Sequence, residues 1–318
     1  MTEIHRPDRG PSQEFWAEPG IQVVPLRTPT LPPATHTNCV VIGTDQVVII
    51  DPASPYEEEQ ERLLTHLKSR GAQVLAIWLT HHHADHTGGV QTLRTALDVP
   101  VLAHPATAER LQADIEVDDA LFDGDRTSLG DLEIEALHTP GHARGHLAFR
   151  EVTSRTLVAG DLVAGQGTII IDPPEGDMAD YLATLGRLIQ ENVGAIIPAH
   201  GPLIEDGETK LLNYIGHREA RERQIAEALQ KKANKQARPL DLVPEIYPEV
   251  PPVFHPLAAR QVLAHLLKLE QEGRVDRPDG GSGVPGTPVY MATGQENRTP
   301  DVSFRWIGAS TGPNTNWF

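Results

Sequence analysis

The 318-residue chain has one cysteine, and a lone thiol cannot close an internal disulfide. That fits a reducing compartment and leaves Cys39, within the apolar stretch Asn38 to Gly43, as a small buried side chain. Basic residues are scarce as well: 27 Lys and Arg stand against 44 Asp and Glu, a formal charge of −17. A dedicated binder of duplex DNA needs the opposite balance, and an anionic membrane surface would repel this one. Aromatic residues make up 5% of the chain, so platforms for stacking bases are few. No apolar run is long enough to span a bilayer, and the opening stretch MTEIHRPDRGPSQEFW lacks the apolar core of a secretory signal. The expectation is a soluble cytoplasmic protein, with the mitochondrial matrix left open.

Against these absences stands one dense stretch, Thr80-His81-His82-His83-Ala84-Asp85-His86-Thr87-Gly88-Gly89. It packs four imidazoles and a carboxylate into six residues, directly behind the apolar run Val74 to Leu79, which reads as a buried strand. Such a cluster is costly unless something binds it. If the backbone stays extended, His81 and His83 face one side and can hold one cation, while Asp85 and His86 reach a second position. Gly88 and Gly89 then let a helix begin beside the cluster, its positive end toward bound anions. A histidine-rich tract can also be only a polar loop. Further donors follow apolar, strand-like runs in three other places: His142 in Leu137-His138-Thr139-Pro140-Gly141-His142, Asp161 after Leu157-Val158-Ala159-Gly160, and His200 after Ile196-Ile197-Pro198-Ala199. Four such placements argue for a built metal site.

Residues 1–20 read as a polar arm. Strand-like runs at Ile21 to Leu26, Asn38 to Ile42 and Gln46 to Ile50 precede a helix from Tyr56 to Arg70 that stops at Gly71. Strands and helices then alternate to His200, which implies a layered α/β architecture over 21–206. Residues 113–135 are strongly acidic and exclude a polyanion from that side. The segment 207–238 reads as a connecting helix with inverted charge: between Lys210 and Arg238 eight bases face three acids, a net of +5. Residues 239–292 suggest a small winged-helix unit, with a helix from Leu257 to Glu272 and a Gly-rich hairpin flanked by Arg274 to Asp276 and Val289 to Met291. Its second helix carries Arg260 and Lys268 against Glu270 and Glu272, too few bases for reading a DNA groove. Residues 293–318 form a polar tail with no assigned role.

The motif HxHxDH, followed in order by PGH, GD and AHG at strand ends, resembles the metallo-β-lactamase superfamily over about residues 20 to 205. The stretches GDLVAGQGT, PAHGPLI, YIGHREARERQI and HLLKLEQEGRV further resemble the β-lactamase-like protein 2 group, to about residue 276. The resemblance implies a four-layer αββα sandwich with metals at one edge of its two sheets and a small C-terminal winged-helix-like domain. It also implies that His81, His83 and His142 hold a first metal, that Asp85, His86 and His200 hold a second, and that Asp161 bridges them, with Asp85 and Asp161 the catalytic carboxylates. Two Zn2+ ions suit such donors best, with iron or manganese as alternatives, and a shared hydroxide would serve as nucleophile in metal-assisted hydrolysis.

Other residues admit two readings each. Asp51 either orients a ligand imidazole or forms a turn before Pro52; His138 and His146 are either second-layer partners and proton donors or loop residues. His217, Arg218 and Arg221 either contact a substrate phosphate or belong to a solvated helix face. The family resemblance puts single-stranded RNA first as substrate, an endoribonuclease reading for which the basic helix offers a backbone-tracking surface. A thioesterase or related acyl hydrolase, of the glyoxalase II or polyketide-releasing kind, is the alternative, and a noncatalytic binding module the third. The oligomeric state is open.

Overall fold

The computed structural model describes residues 13–278 and 302–308. They divide into two compact units: one of residues up to 139 with 145–169 and 192–210, the other of 140–144, 170–191 and the residues from 211 onward.

The first unit is built on two sheets. The larger has the order β1 (Phe15–Glu18), β2 (Ile21–Arg27), β3 (His36–Gly43), β4 (Gln46–Ile50), β5 (Gln73–Trp78), β6 (Val101–Ala103) and β7 (Asp119–Ala120). Its first four strands run antiparallel and the pairs from β4 to β7 are parallel. The smaller sheet orders β8 (Arg126–Leu129), β9 (Leu132–His138), β10 (Leu147–Glu151), β11 (Leu157–Val158) and β12 (Ile196–Ile197) as β12-β11-β10-β9-β8.

Alternation along the central strands explains how one sheet serves two cores. Val40, Ile42, Val48, Ile50, Ala76 and Trp78 face the smaller sheet, where they meet Ile134, Ala136, Leu147 and Phe149; the Trp78 and Phe149 rings lie 5.1 Å apart. The intervening Cys39, Val41, Val47, Ile49 and Ile77 face the opposite way, onto helices α1 (Glu57–Arg70), α3 (Val90–Leu97) and α4 (Pro105–Leu111) through Leu63, Leu67, Val90, Leu93 and Leu111. A period of two with both faces apolar is what a strand buried on both sides requires. One short helix, α2 (Ala84–Thr87), separates β5 from α3.

The second unit contains α5 (Met178–Gln190), most of α6 (Gly207–Lys231), α7 (Pro239–Ile246) and α8 (His255–Gln271). A three-stranded sheet accompanies them, β13 (Gln236–Ala237), β15 (Phe304–Trp306) and β14 (Val275–Asp276) in that order. Its core joins Ile225 and Leu229 of α6, Leu242 and Val243 of α7, Val262, Leu263 and Leu266 of α8, and Phe304.

Three expectations change. Phe15–Glu18, assigned to a polar arm, is a strand paired with β2. Its four residues are too short to carry a periodic signal. The helix expected at Gly88 and Gly89 starts earlier: the chain is extended only to His83, and Asp85 and His86 are already helical in α2. Phe304–Trp306, taken as tail, pairs with Val275–Asp276 as the central strand of the small sheet. The strand expected at 289–291 lies outside the described residues, as does the rest of 279–301 and 309–318.

Candidate metal centre

Two groups of donors gather at the ends of strands. The ligand atoms of His81, His83, His142 and Asp161 lie within 4.8 Å of one another, and so do those of Asp85, His86 and His200. All seven positions expected from the sequence are therefore in one group or the other, and His82 joins neither. Asp161 also faces the second group, its Oδ1 3.6 Å from His86 Nε2 and 3.4 Å from His200 Nε2. Asp85 Oδ2 lies 3.6 Å from His200 Nε2.

The hydrogen bonds decide which nitrogen each imidazole presents. Asp51 stands at the left-handed end of β4 and is almost wholly buried. It accepts from the Thr80 backbone N–H at 2.8 Å, from Thr80 Oγ1 at 2.6 Å and from His86 Nδ1 at 2.7 Å. Because the Thr80 hydroxyl donates to Asp51, it accepts from His81 Nδ1 at 2.9 Å, which leaves His81 Nε2 as a lone pair. That lone pair faces His83 Nδ1 at 2.8 Å. His142 Nδ1 donates to the Ile170 carbonyl at 2.7 Å and His200 Nδ1 to the His36 carbonyl at 3.0 Å, so both turn Nε2 inward. A second nitrogen bonded to a carboxylate or carbonyl is the arrangement by which proteins fix metal-binding histidines.

His86 Nε2 is buried and has no hydrogen-bond partner, although a buried polar atom left unpaired is costly. Burial alone would push the His86 imidazole down; the carboxylates of Asp161 and Asp51 outweigh it and hold the imidazolium well above its ordinary range. A cation replacing the proton at Nε2 would meet the Asp161 carboxylate, while Asp51 stays bonded to Nδ1 on the other side of the ring. Neutral imidazoles and carboxylates of this kind fit divalent metal ions.

His146 bonds to the backbone of Asp161, the residue that faces both groups. It is fully buried, its Nδ1 is 2.8 Å from Thr139 Oγ1, and its Nε2 accepts the Asp161 backbone N–H at 3.1 Å. With Nε2 as the acceptor of that bond, the ring proton sits on Nδ1 and faces the Thr139 hydroxyl. Gly160, at φ 50°, is what lets the ring in: a Cβ there would lie 2.6 Å from His146 Nε2. The His200 loop is held by Asn38, whose backbone N–H donates to the Ala199 carbonyl and whose Nδ2 donates to those of Pro198 and Gly201. Thr80 and Asn38 are the contributors that sequence reasoning passed over, since a threonine and an asparagine at strand ends carry no signal of their own. His138 instead stacks on His104, centroids 4.2 Å apart and planes nearly parallel.

The basic helix looks different in three dimensions. Arg218 is buried, not solvated: it donates to Gln261 Oε1 at 3.2 Å and lies over the Tyr181 ring. Arg221 donates to the Ile246 carbonyl and stacks 4.1 Å over Tyr247. Lys231 and Lys232 reach Glu245, and Arg238 pairs with Asp241. His217 remains exposed. Most of the charge that suggested a phosphate-tracking surface is thus engaged within the second unit.

Comparison with known proteins agrees with this architecture. A family model of the metallo-β-lactamase superfamily matches residues 32–200, and one of the beta-lactamase associated winged helix domain matches residues 239–282. The beta-lactamase-like protein 2 homolog of Drosophila melanogaster is 30% identical over 253 residues, covering 75% of this chain and 84% of that protein. The atrochrysone carboxyl ACP thioesterase of Passalora fulva is 31% identical over 219 residues, which cover 66% of this chain and 63% of that protein. A beta-lactamase domain protein from Burkholderia ambifaria shares the fold, with a TM-score of 0.76 at 20% identity over 94% of this chain and 96% of the other. Among the described residues no helix is long and apolar enough to cross a membrane.

Proposed function

The chain belongs to the metallo-β-lactamase superfamily, and on that premise we propose that it is a binuclear metal-dependent hydrolase whose substrate is an acyl thioester. The observation that carries the hydrolase reading is the pair of donor groups sharing Asp161, with the other nitrogen of His81, His86, His142 and His200 already occupied. His81, His83, His142 and Asp161 would hold one ion, and Asp85, His86 and His200 the other. Imidazole-rich sets suit zinc best, with iron and manganese as alternatives. Bound there, divalent ions supply Lewis acidity and bring the pKa of a coordinated water toward neutrality.

The chain's own residues do the rest. Asp51 and Thr80 fix the rings of His86 and His81, and His146 fixes the backbone of Asp161. Asp85, the least buried donor, would be the group that takes the proton of the attacking water and returns it to the leaving sulfur.

Three observations favour a thioester over RNA. A charge of −17 repels a polyanion and leaves a small acyl substrate unaffected. Of the eight bases between Lys210 and Arg238, Arg218, Arg221, Lys231, Lys232 and Arg238 are engaged within the second unit. A relative of comparable identity is named a thioesterase. The buried, unpaired cysteine supports a reducing compartment, cytoplasm or mitochondrial matrix.

The test is to incubate zinc-loaded protein with a panel of acyl thioesters and with single-stranded RNA, beside an Asp161→Ala variant. Thioester turnover lost in the variant is the expected result. Salt-sensitive RNA cleavage with intact thioesters would replace this reading by the endoribonuclease one. A noncatalytic module would purify without stoichiometric metal and turn over neither.

A further inference from the structure

The C-terminal helix unit makes contacts that bear on a metal donor, and they run through one short segment, residues 170–173. Gln261 of α8 pairs with Ile171 as one strand pairs with another. Its Oε1 accepts the Ile171 N–H at 3.4 Å and its Nε2 donates to the Ile171 carbonyl at 3.0 Å. Next to it, Arg260 donates from Nε to Asp172 Oδ1 and from Nη2 to the Pro173 carbonyl. Arg218 of α6 closes the set by donating to Gln261 Oε1. Arg260, Asp172 and Arg218 are all at most 3% exposed, so these bonds form away from water, where losing one partner is costly.

The residue just before this clamp is Ile170, whose carbonyl accepts from His142 Nδ1 at 2.7 Å. The carbonyl position depends on the peptide plane it shares with Ile171 N, the atom that Gln261 holds. That plane therefore sets both the tautomer and the ring direction of His142.

We infer that the winged-helix unit serves the metal centre as a positioning element, with Gln261 and Arg260 orienting His142 through the backbone of residues 170–173. The burial of α8 agrees: every residue from Ala258 to Leu266 is buried, so the helix that would enter a nucleic-acid groove presents no free face over that stretch. Lys268, its remaining base in the last turns, bonds to Glu222 and Glu272. The unit thus works inward.

The inference rests on the metal-hydrolase reading, and its test reads metal binding, not turnover. Full-length protein, stripped of metal and refilled, is titrated with Zn2+ against a chromophoric chelator and with Co2+ followed by visible absorption. Wild type should take up two ions. Gln261→Leu should weaken one of them about tenfold, the scale of losses when a ligand's outer partner is removed, and leave the other unchanged. The same substitution made in a His142→Ala background should have no further effect, because the donor it acts on is gone. The Co2+ band of the affected ion should change shape in Gln261→Leu alone. Gln261→Glu keeps the acceptor oxygen for Ile171 and Arg218, whose guanidinium balances the new charge, and sets an acceptor in place of the donor against the Ile171 carbonyl; it should fold if Gln261→Leu does not and should also weaken that ion alone.

Equal weakening of both ions, or a loss that persists in the His142→Ala background, would reduce Gln261 to a folding contact and overturn the inference. Wild-type affinity in both Gln261 variants would overturn it as well. A wild-type chain that binds no divalent ion would instead refute the metal-hydrolase reading from which the inference starts.

Discussion

Replacing Asp51 by Asn isolates what the buried carboxylate does. Asparagine has the same shape and, like aspartate, tolerates the left-handed φ of 49° found there, so the backbone is unchanged. What changes is the acceptor count. Asp51 Oδ2 accepts from Thr80 Oγ1 and His86 Nδ1, and Oδ1 accepts from the Thr80 N–H. An amide nitrogen in either place confronts at least one donor with another donor. Leaving one buried donor unsatisfied costs about 1–3 kcal/mol, which is the expected loss of stability in urea with chelator present. Metal binding should change selectively. His86 then faces at best a neutral amide oxygen in place of the carboxylate, so the ion held with Asp85 and His200 should weaken about 10- to 100-fold, or about 1.4–2.7 kcal/mol. Chelator-competition titration measures this directly. If Asp51→Asn binds both ions with wild-type affinity, the argument that outer partners orient these imidazoles is wrong, whatever happens to stability.

Other outcomes follow from the same geometry. Gly160→Ala adds a Cβ 2.6 Å from His146 Nε2 at a positive φ, so it should destabilise the chain by about 1–3 kcal/mol and weaken metal binding, both read by melting with and without zinc. Phe149→Ala empties the contact with Trp78 between the sheets and should cost about 3–5 kcal/mol in urea unfolding. Burial opposes ionisation of Glu222, but the nearby His265 and the Lys268 ammonium prevail and hold its carboxyl below the usual range. A depressed value means that the added stability is present above the ordinary glutamate range and is lost as pH falls through the folded value. Glu222→Gln should therefore be destabilising at pH 7, with the difference from wild type shrinking toward zero in acid. Burial, reinforced by Asp51, pushes the Cys39 thiol well above its ordinary range, so a thiol reagent should label it only once the chain unfolds.

How far the site could be read ahead of the structure differed by residue. His81, His83, Asp85 and His86 stand together in the chain, and His142, Asp161 and His200 each follow an apolar run, so residue type and position sufficed to nominate them. Their supports were harder to see. Thr80 acts through one hydroxyl between Asp51 and His81, and Asn38 acts across a sequence separation of 160 residues, which no local pattern encodes. Arg218 and Arg221 were misread for a different reason: a charge count on a helix cannot tell a solvated arginine from one paired with a glutamine or lying on a tyrosine ring. The layered α/β class was legible from alternating strands and helices, whereas Phe304–Trp306 was not, because a three-residue strand is recognised only by its partner.

The bonds that Asn38 donates to residues 198–201, and the one that the His36 carbonyl accepts from His200, also bear on the order in which the chain can assemble. His81 and His83 emerge from synthesis long before His200 exists. The loop carrying His200 is fixed only when it returns to the beginning of β3 and β12 joins β11. Contacts that close so long a stretch of chain form late, because the entropy of closure must be overcome before they stabilise anything. The full donor set is accordingly a property of the finished fold. A metal ion that needs it can deepen the native basin and slow escape from it, yet has little to hold during the search that leads there.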